Sequence, residues 1–189
     1  MSNLKSLISH NQNPLLEIIN DSHYNYCFWW KLSGPERSKF LETMNKYIFF
    51  FKTSIRSYFL TLIVSLYKLY DSNSRTNNFN KLFKLINSDC TFKEKEKIIL
   101  EDKFYKAQVI WEKVRILRHN YFAHLNMKYD EKSLYKQANI TPNEFKELIY
   151  ISLDIFNLIR EHYDESKLSL ANVEFDIENL FKDLNVKLK

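Results

Sequence analysis

Arg118 and His124 bracket the run Arg118-His119-Asn120-Tyr121-Phe122-Ala123-His124, with Arg115 one helical turn upstream. Arginine brings a permanent charge and a rigid fork of five donors. Histidine is the side chain that exchanges a proton near neutral pH. Together they suit transfer at a phosphodiester. A base takes the proton of a ribose 2′-hydroxyl, which attacks the adjacent phosphorus. A cation stabilises the added charge on the phosphorane, and an acid protonates the leaving 5′-oxygen. Histidine serves the proton steps, each typically worth about 10²–10⁴-fold. Arginine serves the charge. Such a reaction needs no metal, and no metal or cofactor is expected: His-Glu-x-x-His and Cys-x-x-Cys spacings are absent. His119, Asn120 and Arg115 are the supporting candidates for holding phosphate. The competing structural role pairs Arg118 with an acid such as Glu112 or Asp102 and leaves His124 to cap a helix.

Something must bring these groups together. On an ideal helix Arg115, Arg118, His119 and Phe122 share a face. His124 then sits about 120° around and about 9 Å along the axis from Arg118. They converge if the helix ends near Ala123, or if two copies face each other.

The composition favours helices for that task. Gly34 is the only glycine, and Pro14, Pro35 and Pro142 are the only prolines. A sandwich or barrel needs many tight turns. Glycine-rich phosphate loops are likewise excluded. The expectation is an all-α helical bundle of four to six helices with two long core helices, one domain over residues 1–189. Residues 1–17 read as a loosely organised arm and 166–189 as a C-terminal helical extension. His23–Leu32 reads as a short helix, and Ser33-Gly34-Pro35-Glu36 starts a long one running to about Tyr70. Phe51, Ile55, Tyr58, Phe59, Leu62, Leu66 and Leu69 mark its inner face at three- and four-residue spacings. Residues 71–78 form the clearest loop, followed by a short helix from Phe79 to Asn87. A second long helix, capped by Asp89 or Thr91, carries Ile98, Ile99, Tyr105, Val109, Trp111, Val114 and Leu117 towards Arg118. Residues 126–139 read as loop. Thr141-Pro142-Asn143-Glu144 is a capping box opening a helix to about Tyr163. A last helix covers Val173 to Leu184.

Charge is uneven. From Lys31 to Lys68 seven basic side chains stand against two acids, and from Glu147 to Lys189 five stand against nine. That asymmetry suits one face meeting a polyanion. Two cysteines, Cys27 and Cys90, read as buried thiols in a reducing cytosol. Lys52, Arg56 and Lys68 interrupt the most apolar stretch, so it reads as a core helix of a soluble, cytoplasmic protein and not as a membrane span.

The residues from Arg115 to Leu125, with an alanine-histidine pair after the arginine, resemble the AbiU-type (abortive infection) branch of the HEPN superfamily. Ser65-Leu66-Tyr67-Lys68-Leu69-Tyr70-Asp71 is similar to the helix end of that branch, and the likeness spans about residues 25 to 165. The resemblance implies a homodimer with the motifs facing across a cleft and metal-independent cleavage of an RNA substrate. It makes Arg118 and His124 the catalytic pair. It also implies a toxin or antiviral effector restrained by an antitoxin, such as a minimal nucleotidyltransferase. In members silenced by nucleotidylation a tyrosine stands two residues after the histidine. Asn126 takes that place here, and the next tyrosine is Tyr129. Other members are non-catalytic helical dimers that bind RNA or protein. For that alternative the contacts would be Lys31, Arg37, Lys39, Lys46, Lys52 and Arg56.

Overall fold

The computed structural model describes residues 3–8, 13–73, 75–123 and 136–186. Among them every regular element is a helix, as the scarcity of turn residues predicts. In order these are α1 (Asn3–Ile8), α2 (Pro14–Ser33), a 3-10 segment (Pro35–Phe40), α3 (Leu41–Lys46), α4 (Ile48–Leu69), α5 (Phe79–Ser88), α6 (Glu94–Ala123), α7 (Pro142–His162) and α8 (Glu174–Val186). One helical turn at 136–138 precedes α7.

The core lies where α2, α4, α6 and α7 meet. Ile19, Leu62, Ile63, Leu66, Val114, Leu117, Phe145 and Phe156 are buried there. The capping box at α7 forms as read: Thr141 Oγ1 accepts from the Glu144 amide, and the Glu144 carboxylate accepts from the Thr141 amide at 2.8 Å. At α5 the Asn78 side chain accepts from the Lys81 amide at 2.9 Å and supplies the cap. One buried hydroxyl pair links α4 to α7. Ser152 Oγ donates to Leu148 O at 2.7 Å, so Tyr70 donates to Ser152 Oγ at 2.9 Å.

Several expectations are corrected. The 1–17 arm instead supplies α1, with Leu4 and Ile8 buried, and the start of α2. α2 has twenty residues and replaces the short helix expected from His23, because Asn13 and Pro14 start it earlier. The long helix expected from Ser33 to Tyr70 is three pieces. Ser33 ends α2, donating back to Trp29 O at 2.6 Å. Gly34 follows because a Cβ there would lie 2.6 Å from Trp30 O and 2.8 Å from its indole. A second break falls at Tyr47, whose φ of −121° and ψ of 44° are non-helical. The break lets Phe40, Met44 and Phe51 turn onto Ile177 and Phe181 of α8 in a second apolar cluster. α6 starts at Glu94, after the candidate caps. Glu96 accepts from the Lys93 amide at 2.7 Å, while Asp89 accepts from the Thr91 amide and shapes the preceding turn.

Lys31 is buried at 8% exposure between Glu36 and Glu178, each 2.9 Å away. Its hydrogen bond to Glu178, against the opposing effect of burial, holds its pKa above the ordinary lysine value. Both carboxyls are held below theirs, chiefly by Lys31. Lys31 therefore ties α2 to α8 and is removed from the basic set expected to meet RNA.

By length and composition α4 is the one helix among the described residues apolar enough to cross a membrane. Its C-terminal half packs in the main core, and in its N-terminal half Phe51 alone is buried, in the second cluster. Ile48, Phe49 and Phe50 are exposed.

Candidate functional site

α6 carries the Arg118 segment. Its inner face buries Leu100, Ala107, Ile110, Val114, Leu117 and Tyr121 at three-, four- and seven-residue steps. Other apolar side chains of α6 face outward: Ile98, Ile99, Tyr105, Val109 and Ile116 are exposed. Ile98, Tyr105, Val109 and Ile116 recur at about 3.6 residues per turn and so lie along one outer face of the helix. His119, also exposed, continues that stripe by three residues.

Arg118 turns the other way, towards α4. Its guanidinium carbon sits 4.0 Å from the centroid of the Tyr67 ring. The Tyr67 hydroxyl donates to Asp71 at 3.3 Å, and Trp111 Nε1 donates to Tyr67 O at 3.0 Å. The Trp111 ring lies beside Tyr67 with centroids 5.7 Å apart. One turn on, Tyr121 packs edge-on against Phe59. A cation over an aromatic face is attracted to the ring quadrupole through the flat side of the guanidinium. Tyr67 and Asp71 were legible as a helix end. Their service to Arg118 was not, because nothing in spacing places α4 against α6.

The acids proposed as structural partners for Arg118 are engaged elsewhere. Glu112 pairs with Arg115, and Asp102 with Lys106 at 2.7 Å. Arg115 is thus held by its own helix. Asn120 Nδ2 donates to Gln137 Oε1 at 3.0 Å, which joins the motif to the turn before α7. Lys113 pairs with Glu144 in the same corner. Burial raises the Glu144 carboxyl, but its bonds from Lys113 and Thr141 outweigh that and lower it overall. His124 lies outside the described residues. The structure therefore brings Arg118 together with Tyr67, places His119 on the outer stripe, and sets Asn120 against Gln137.

Two other constellations could suggest chemistry. Cys27 lies 3.7 Å from His23 Nε2, but burial pushes its thiol up to about 11, which leaves little thiolate. His162 lies 3.0 Å from Thr91 Oγ1 and 3.3 Å from Glu96, in the order of a hydrolase triad. The Thr91 hydroxyl donates instead to Asp89 at 2.7 Å, so the group latches a loop to the end of α7. Among the described residues no three His, Cys, Asp or Glu side chains are grouped to hold a metal ion.

The chain matches the family model of the AbiU2 HEPN domain over residues 4–182. It belongs to the AbiU2 family of HEPN proteins. Comparisons with curated proteins and with solved structures gave no significant match. The helical bundle described above is thus that of an abortive-infection HEPN domain. Arg118 to Ala123 of the segment resembling the HEPN motif end the longest helix among the described residues, with Arg118 against Tyr67 of α4.

Proposed function

We propose that this HEPN protein is a metal-independent endoribonuclease, acting in the cytoplasm as a toxin or abortive-infection effector. Arg118 binds the scissile phosphate and stabilises the phosphorane. His124 moves the proton of the attacking 2′-hydroxyl or of the leaving 5′-oxygen. His119 and Asn120 help to position the phosphate, with Arg115 at the margin. The observation that carries the reading is the seating of Arg118 on Tyr67. The guanidinium is engaged through its flat side at a helix end, and Glu112 and Asp102, two acids that could have paired with it, serve other cations.

The active species is a homodimer. Ile98, Tyr105, Val109 and Ile116 form a stripe of exposed apolar side chains along α6. A second copy related by a two-fold axis would cover it with the same stripe. In that pairing His119 adjoins the seam, while Arg118, on the opposite face of α6, keeps its seat on Tyr67. An antitoxin, such as a minimal nucleotidyltransferase, would hold the toxin silent.

The test is cleavage of total RNA by wild type, Arg118→Ala and His124→Ala, each checked by thermal melting. Loss of cleavage in both variants with melting unchanged supports the assignment. Full activity in either removes that residue from the mechanism.

A further inference from the structure

α6 covers one face of α4 only part of the way. Tyr121 meets Phe59, and α4 extends eleven residues further towards its start. Those residues carry an unusual surface. Phe49 is 85% exposed and Phe50 62% exposed, while Lys52 and Arg56 stand open beside them. Among the described residues neither Lys52 nor Arg56 has an ion-pair partner, whereas Lys31, Lys39 and Lys46 are all paired.

The register of α4 places this surface in line with Tyr67. At about 100° per residue, Phe49 is five full turns from Tyr67 and so shares its azimuth. Arg56 is offset by about 20° and Lys52 by about 60°. The line from the Arg118 platform on Tyr67 to Phe49 is about 27 Å long. Phe49 followed by two unpaired cations on a single stripe, with Phe50 exposed about 100° round the helix, fits an unstacked polyanion. The rings offer faces for bases, and the cations meet phosphates. Ile48 is exposed beside the two phenylalanines, so a bilayer is the competing occupant; the unpaired Lys52 and Arg56 on the line to the Arg118 platform favour the polyanion.

We infer that the N-terminal half of α4 is a binding track for single-stranded RNA, in which Phe49 and Phe50 stack bases and Lys52 and Arg56 hold backbone phosphates. The inference rests on the RNA-cleaving reading above and extends it with a binding surface, which holds the strand along α4 on one side of the scissile phosphate. The track supplies binding, and Arg118 stays at the reacting phosphate.

The probe is fluorescent 2′-O-methyl oligouridylate, which lacks the nucleophilic hydroxyl and is not consumed. Its affinity for wild type is compared with Phe49→Ser/Phe50→Ser and with Lys52→Gln/Arg56→Gln over a range of salt. Each double variant is expected to bind about 10-fold or more weakly. The charge variant should also flatten the log–log salt slope by about 1.4, and the aromatic variant should leave it unchanged. The substituted side chains are exposed, so melting should not move. Affinity unchanged in both variants overturns the track. Competition by duplex RNA as strong as by single strands overturns base stacking. Flotation of wild type with phosphatidylserine vesicles, lost in the aromatic variant while RNA affinity holds, assigns the face to a bilayer instead. Wild type that binds no RNA defeats both the track and the nuclease reading. Wild type that binds through these residues but cleaves nothing defeats the nuclease reading alone.

Discussion

The guanidinium carbon of Arg118 lies 4.0 Å from the centre of the Tyr67 ring, and the Tyr67 hydroxyl donates to Asp71. The two motifs that pointed to the family, far apart in the chain, therefore meet in one contact between α6 and α4. The ring fixes where the guanidinium lies, and Asp71 fixes the ring. Tyr67→Ala removes the platform and should lower RNA cleavage by about 10- to 100-fold through misplacement of Arg118. Tyr67→Phe keeps the ring and should retain most of the activity. Kinetics of both variants, with circular dichroism to verify the fold, checks the difference. Equal loss in both would assign the effect to the hydroxyl and not to the stacking.

The outer stripe of α6 predicts self-association. Tyr105 is 69% exposed, so Tyr105→Glu should leave the protomer folded. A charge placed at an interface centre should weaken a dimer by about 2 kcal/mol or more, roughly 30-fold. Light scattering across a dilution series should show the variant dissociating at higher concentration than wild type, with cleavage falling in step. A wild-type monomer at all concentrations would remove the dimer from the proposal.

Gly34 is needed for space. Any Cβ there meets the Trp30 carbonyl and indole, and the carbonyl cannot swing away without disturbing the end of α2. Gly34→Ala should destabilise by about 1–3 kcal/mol, as overpacking does elsewhere. Thermal melting should report a fall of several degrees. An unchanged melting temperature would mean that the turn relaxes freely.

Lys31 with Glu36 and Glu178 gives α8 a pH-dependent anchor. Both carboxyls are lowered in the fold, so their contribution is present above the ordinary carboxylate value of 4.5. It is lost as pH falls through their lower folded values. Lys31 is raised, so its contribution is complete below the ordinary lysine value and lost only in strong alkali. Lys31→Gln should therefore lower the melting temperature at neutral pH, and the gap to wild type should close below about pH 4.5. A gap independent of pH would show that Lys31 acts by packing alone.

Much of this fold is local and therefore readable. The Thr141–Glu144 box, the inner face of α4 from Phe59 to Leu69 and the extent of α5 follow from caps and spacing. What failed is long-range. The break at Tyr47 has no glycine or proline to announce it; it is set by Phe181, which gathers Phe40 and Phe51 from across the bundle. α6 is apolar on two sides, so sequence could not choose between Leu100, Ala107 and Ile110 inside and Ile98, Tyr105 and Val109 outside. Lys31 looked like one of six surface cations because Glu178 lies 147 residues away. At the candidate site Arg118 was legible by its residue type and neighbours, whereas Tyr67 depended on how two helices pack.

The central claim is tested most directly by the ends of the RNA products. A 5′-labelled RNA is incubated with the purified protein in excess EDTA, beside Arg118→Ala and His124→Ala. The account predicts cleavage by wild type alone, leaving 2′,3′-cyclic phosphate and 5′-hydroxyl ends. Cleavage that EDTA abolishes, or products ending in 5′-phosphate, would contradict it.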